Sequence, residues 1–125
     1  MKKTFLSNQA KEFRSRYNLQ NASNLKQRTY QKNLIVEEFK EVLEAEGQLW
    51  RNNTQTHEEL LKELADLVYV VFQYAATAGF ELDEALDRVH NSNMSKLVKG
   101  KPVKDETGKV MKGPNYKPPY LEDIV

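Results

Sequence analysis

Four acidic side chains fall in two close pairs, Glu38 with Glu41 and Glu63 with Asp66. Residues three apart on a helix share a face, with Cβ atoms roughly 5–6 Å apart, and packed helices lie roughly 8–10 Å axis to axis. Two such pairs facing each other converge on one small volume. Four ionised carboxylates there either repel or hold protons at neutral pH. Hard divalent cations remove the conflict, because Mg²⁺ takes oxygen ligands at about 2.0–2.1 Å and keeps positions for water and phosphate. The chemistry these residues point to is the holding of a polyphosphate through metal. The plainer alternative is solvated acids on helix surfaces, where most Glu and Asp lie. Placement on the helices decides between the two.

Four helical segments must do the positioning. The spacing of Phe5, Leu6, Gln9, Ala10, Phe13 and Tyr17 predicts a short amphipathic helix over 4–17. The Asn- and Gln-rich stretch 18–24 follows, where Ser23 or Asn24 can cap a second helix from about Leu25 to Glu46, with Gly47 as its stop. Thr56 and Glu59 have capping-box spacing at the start of a third helix, which runs to about Ala78 before Gly79. Asp83 is positioned to cap a fourth, to about Leu97. At about 100° per residue, Glu38 falls inside the apolar arc of the second helix, between Ala45 and Val42, and Glu41 at its edge beside Leu34. A carboxylate on a buried face is costly unless something pairs with it. The third helix is apolar around nearly its whole circumference, which predicts a central, buried element whose remaining polar strip holds Glu63, Asp66 and Gln73. On the fourth, Asn93 and Lys96 point into the arc of Ala85, Leu86, Val89 and Leu97. Snorkelling of Lys96 and hydrogen bonds from Asn93 to backbone groups explain them structurally. Beside a metal cluster, an amide and an ammonium are also what a polyphosphate needs.

From Val98 onward the helical pattern gives way to Gly100, Pro102, Gly108, Gly113, Pro114, Pro118 and Pro119, a turn-rich extended tail with Lys109–Met111 as a short hairpin arm. The fold class is therefore all-α, a four-helix bundle core with a Pro/Gly-rich tail over 98–125, read as a single domain over 1–125. The chain of 125 residues has no cysteine, which excludes disulfides, cysteine zinc sites and thiol nucleophiles. Its net charge of +1 argues against a general nucleic-acid binder. That near-neutrality is a cancellation. Residues 31–66 hold 9 acids and 4 bases, whereas residues 88–117 hold 8 bases and 2 acids. The charged opening Met1–Lys3 lacks the apolar stretch of a signal peptide, and the most apolar segment, Leu64–Phe80, is interrupted by Asp66 and Gln73. A cytoplasmic protein without membrane or nucleic-acid partners is expected.

Glu37-Glu38-Phe39-Lys40-Glu41 and, after 21 intervening residues, Glu63-Leu64-Ala65-Asp66 resemble the EExxE and ExxD signature of the MazG-like all-α nucleoside triphosphate pyrophosphohydrolases. Asn93-Met94-Ser95-Lys96 resembles their NxxK segment, and the stretch through Gly108–Tyr116 to Pro118-Pro119 is similar to the phosphoribosyl-ATP pyrophosphohydrolase-like subgroup, related to dimeric dUTPases. The resemblance implies that Glu38, Glu41, Glu63 and Asp66 bind two or more Mg²⁺ or Mn²⁺ ions, and that Glu37 is a further ligand or the base for the attacking water. Asn93 and Lys96 would hold the phosphates, and Lys109 and Lys112 close over them. It implies cleavage of the α–β anhydride of a nucleoside triphosphate to monophosphate and pyrophosphate, in a homodimer or dimer of dimers. A biosynthetic phosphoribosyl-ATP pyrophosphatase and a non-catalytic metal- and nucleotide-binding module are the alternatives. Two departures bear on the base: Arg14 stands where the subgroup often has His, and the loop 18–24 has no Pro. A redox di-iron bundle is the remaining class, through Asp87-x-x-His90, but such bundles need a carboxylate-x-x-His pair on two helices.

Overall fold

The computed structural model describes residues 5–19, 24–51 and 56–125. Four helices dominate, α1 (Phe5–Arg16), α2 (Leu25–Arg51), α3 (His57–Ala78) and α4 (Leu82–Met94), followed by a two-stranded antiparallel hairpin, β1 (Val103–Lys104) and β2 (Val110–Met111), and a 3₁₀ turn over Glu122–Ile124. The all-α class holds. Leu6–Phe80 form one compact unit, and Glu81–Val125, with Phe5, form another.

In the first unit, α2 and α3 pack along their lengths as an antiparallel pair: Arg28 Nε donates to the Tyr74 hydroxyl at 3.2 Å near one end, and Glu38 and Glu41 meet Glu63 further along. Asn24 caps α2, its Oδ1 accepting from the Gln27 N–H at 2.9 Å; Ser23 lies outside the described residues. The capping box of α3 is complete, with Thr56 Oγ1 accepting from the Glu59 N–H at 3.1 Å and Glu59 Oε2 from the Thr56 N–H at 3.0 Å. Gly79 ends α3 at φ 79°, a left-handed conformation that glycine adopts without a Cβ penalty. Thr56→Ala is expected to cost about 1 kcal/mol of stability, read as a lower midpoint in chemical unfolding followed by helical circular dichroism.

Three helix ends differ from expectation. α2 continues through Gly47 to Arg51, because Gln48 and Trp50 bond back to Glu44 and Glu46 and the Arg51 side chain folds over Gly47, with its Nε donating to the Gly47 carbonyl at 3.2 Å. Side-chain pairs four apart offset the glycine's helix cost of roughly 1 kcal/mol. α4 begins after Glu81, which makes no side-chain cap, so Asp83 lies in the first turn, where its charge meets the helix dipole. It ends at Met94, three residues early, as the chain turns through Ser95 and Lys96 towards left-handed Lys99 and Gly100.

Phe13 of α1 meets Tyr69 of α3 edge to face at 5.5 Å. The buried core of this unit combines Ala10, Ala45, Phe72 and Ala75 with a polar layer of Arg14, Gln31, Gln73 and Thr77. The expectation of an α3 buried all round is corrected. Leu61 is 67% exposed and Val68 48%, as are Phe39 and Leu43 of α2 at about half, because α2 covers one side of α3 and Leu61 and Val68 lie along an open apolar groove that α3 shares with α1.

The second unit is held by Arg88, which donates from Nε to Glu84 at 2.9 Å, from Nη2 to Asp123 at 3.1 Å and from Nη1 to the Tyr120 carbonyl at 2.9 Å. The tail is anchored: buried Ser92 donates to the Lys117 carbonyl at 2.7 Å, and the Glu81 N–H donates to the Ile124 carbonyl at 3.1 Å. The expected hairpin arm is present. Asp105 closes its loop by accepting from the Thr107 hydroxyl at 2.7 Å and from the Thr107 and Lys109 N–H groups at 2.9 and 3.0 Å, bonds that hold its carboxyl below the usual range.

Candidate metal centre

α2 and α3 bring together Glu38, Glu41 and Glu63, each offering a carboxylate oxygen within 4.8 Å of the others. They form the one such group of three or more metal-capable side chains among the described residues, and neither Asp87 nor His90 joins a second. Glu38 Oε2 and Glu63 Oε2 are buried with no hydrogen-bond partner. A buried carboxylate oxygen without a donor carries an uncompensated desolvation cost. Oxygen-only donors, closely grouped and partly dry, fit a hard divalent cation.

The same crowding shows in the proton affinity of Glu63. Its carboxyl is pushed up from 4.5, first by the hydrogen bond with Glu41, then by desolvation and by the charges of Glu41 and Asp66, with Lys62 opposing. A carboxyl raised in the folded state contributes stability that is full below its unfolded value and lost as pH rises through the folded one. A cation competes with the proton for that carboxylate. Divalent-cation binding is therefore expected to release protons, to an extent of up to about one per site, and to weaken as pH falls through the raised value of Glu63; calorimetry in buffers of different ionisation enthalpy checks this.

Asp66 stands outside the cluster. Its Oδ2 pairs with Lys62 Nζ at 2.7 Å, and the same Nζ lies 3.6 Å from Glu63. Lys62 went unnoticed in the sequence, although a lysine one turn before Asp66 is the signal for it. Its ammonium pairs with Asp66 and repels any cation nearby. Lys62→Met is expected to tighten divalent-cation binding roughly two- to tenfold, measured by calorimetric titration, with no fall in the unfolding midpoint because exposed pairs of this kind stabilise little.

Glu37 is exposed on α2 beside Glu38. In the other unit, Asn93 is exposed in the last turn of α4, and Lys96 is half-buried in the turn beyond it, so the helical-wheel argument for Lys96 does not apply. Lys109 ends the hairpin loop, and Lys112 places its Nζ 4.8 Å from the Tyr116 ring centroid, a cation–π contact. Sequence reading also missed Gln31 as buried. Its signal is its position seven residues before Glu38, which puts it on the same helix face.

The family model described as phosphoribosyl-ATP pyrophosphohydrolase matches residues 2–93, covering all three clustered carboxylates and Asp66. No curated protein matches the chain.

Proposed function

The chain belongs to the phosphoribosyl-ATP pyrophosphohydrolase family, of the MazG-like superfamily, whose activity is nucleotide pyrophosphohydrolysis, and from that premise we propose that it is a divalent-metal-dependent hydrolase of nucleoside triphosphates. The observation that carries this reading is the pair of buried, donorless oxygens on Glu38 and Glu63 inside a three-carboxylate cluster. Glu38, Glu41 and Glu63 would hold the first ion, and Asp66, once released by Lys62, a second. Bound there, Mg²⁺ or Mn²⁺ would supply charge neutralisation at the phosphoryl oxygens and a water of lowered pKa.

The residues of the chain do the rest. Glu37 accepts the proton of the attacking water or adds a further ligand. Asn93 donates its amide to the phosphates and Lys96 pairs with their charge, assisted by Lys109 and Lys112. Water adds to phosphorus, the bridging P–O bond of the α–β anhydride breaks, and the nucleoside monophosphate and pyrophosphate leave. The exposed apolar side chains of α2 and α3, among them Phe39, Leu43, Leu61 and Val68, would be covered by a second copy, giving a homodimer or a dimer of dimers that light scattering detects. No helix of the described residues is long and apolar enough to cross a membrane.

The test is incubation with Mg²⁺ or Mn²⁺ and a panel of nucleoside triphosphates, followed by separation of products. Monophosphate with pyrophosphate is expected; no turnover of any triphosphate with either ion overturns the reading. The family description favours a second reading, phosphoribosyl-ATP as the substrate, so that compound belongs in the panel.

A further inference from the structure

The acids of α3 carry a base on their solvent side. Lys62 Nζ lies 2.7 Å from Asp66 Oδ2 and 3.6 Å from Glu63 Oε1, and among the described residues it is the base that ion-pairs with these two acids. Side-chain exposure climbs from 19% at Glu63 through 38% at Asp66 to 69% at Lys62. The ammonium is thus the outer layer over a cluster whose inner oxygens, on Glu38 and Glu63, are buried. Helix stability does not account for this pair. On a helix the favourable order sets the acid four residues before the base, and Lys62 stands in the reverse order to Asp66. An exposed pair contributes little in either order, so it is easily exchanged for another.

A polyphosphate meets a repulsive field at this site. Glu38, Glu41, Glu63 and Asp66 carry up to four negative charges, and an anion approaches them only where cations stand between. Phosphate enters from solvent, which is the side of the cluster where Lys62 lies. The four-carbon stem of a lysine is flexible, and its ammonium is a compact point charge with three donors, suited to phosphoryl oxygens. Of the substrate, the pyrophosphate portion carries most of the negative charge.

We propose that Lys62 is a further substrate-binding residue, whose ammonium rests on Asp66 in the free protein and passes to a phosphoryl oxygen of the pyrophosphate portion of the triphosphate when divalent cation takes that carboxylate. This rests on the metal-dependent triphosphate reading above. The exchange trades one ion pair for another and moves no proton. It also gives the charge of Lys62 two opposite effects. Lys62 weakens the binding of free cation, by repulsion and by competition for Asp66, and strengthens the binding of phosphate. A lysine that only repelled cations would, once removed, let cation and the phosphate held through it both bind more tightly.

The test is calorimetric titration of Mg²⁺ into the protein, and of magnesium pyrophosphate into protein saturated with Mg²⁺, on the native chain, Lys62→Met and Lys62→Arg. Lys62→Met keeps the stem and removes the charge at an exposed position, so the helical spectrum is expected to persist. It should tighten Mg²⁺ roughly two- to tenfold and weaken pyrophosphate by roughly five- to thirtyfold, the loss of a charge-assisted contact discounted for exposure. KM for the triphosphate should rise with it while kcat changes less. Lys62→Arg, which keeps the charge, should hold pyrophosphate within about threefold of native. Pyrophosphate affinity that is native or tighter in Lys62→Met overturns the inference and leaves Lys62 a surface counter-charge. A native chain that binds pyrophosphate through Lys62 but hydrolyses no triphosphate overturns the catalytic reading alone, and one that takes up no Mg²⁺ overturns both.

Discussion

Glu38→Gln is expected to lower kcat/KM on the best triphosphate by roughly 10²- to 10³-fold, because a metal-held site supplies several kcal/mol of charge stabilisation and each 1.36 kcal/mol is tenfold in rate. The amide keeps the size of the side chain and removes its charge from a group whose Oε2 is buried without a donor. Helix α2 should therefore persist, with an unchanged helical spectrum. The stabilisation that divalent cation gives the native chain, a linkage effect of selective binding to the folded state, should shrink with the activity. Glu63→Gln is expected to lose activity in the same way while raising the midpoint of the metal-free protein at neutral pH, since it removes the carboxylate whose ionisation the cluster opposes. Native kcat/KM in either variant would sink the metal assignment.

The second large effect is expected at Gly113. A Cβ built there would sit 2.7 Å from the Lys96 carbonyl oxygen and 2.8 Å from a Val98 methyl, closer than such atoms approach. One of the two is backbone, so relief requires the segment carrying Lys96 to move. Gly113→Ala should cost about 1–3 kcal/mol, the usual penalty of overpacking, seen as a lower unfolding midpoint. If Lys96 holds phosphate, KM for the triphosphate should rise as well, by more than kcat falls, because the strain acts on a binding group. A drop in stability with unchanged KM would remove Lys96 from the phosphate-binding set.

Much of the scaffold could be read along the chain because its causes are local. Thr56 with Glu59 caps α3 through bonds three residues apart, and Gly79 stops it through a conformation that glycine reaches at no cost. The end of α2 was not legible, since Gly47 alone says stop and only the Arg51 side chain lying over it, with the pairs Glu44–Gln48 and Glu46–Trp50, carries the helix on. Asp83 shows the complementary failure: its type suits a cap, but Glu81 takes that position where the chain meets Ile124. Within the site, Glu38 was identified by its place on an apolar arc. Asp66 was grouped with it by spacing, and spacing does not register that Lys62, one turn away, already holds that carboxylate.

The sequence by itself determined the all-α class, the start of α2 at Ser23 or Asn24 and of α3 at Thr56, the stop at Gly79 and the pairing of acids on two helices, because each depends on interactions within about one helical turn. Tertiary structure alone decided which carboxylates converge, that two of their oxygens are dry, and that Arg14, Gln31 and Gln73 are buried in a polar layer. Those properties depend on the antiparallel register of α2 and α3 and on what α1 covers. Desolvation and charge repulsion are set by neighbours distant in the chain, which residue spacing along one helix does not encode.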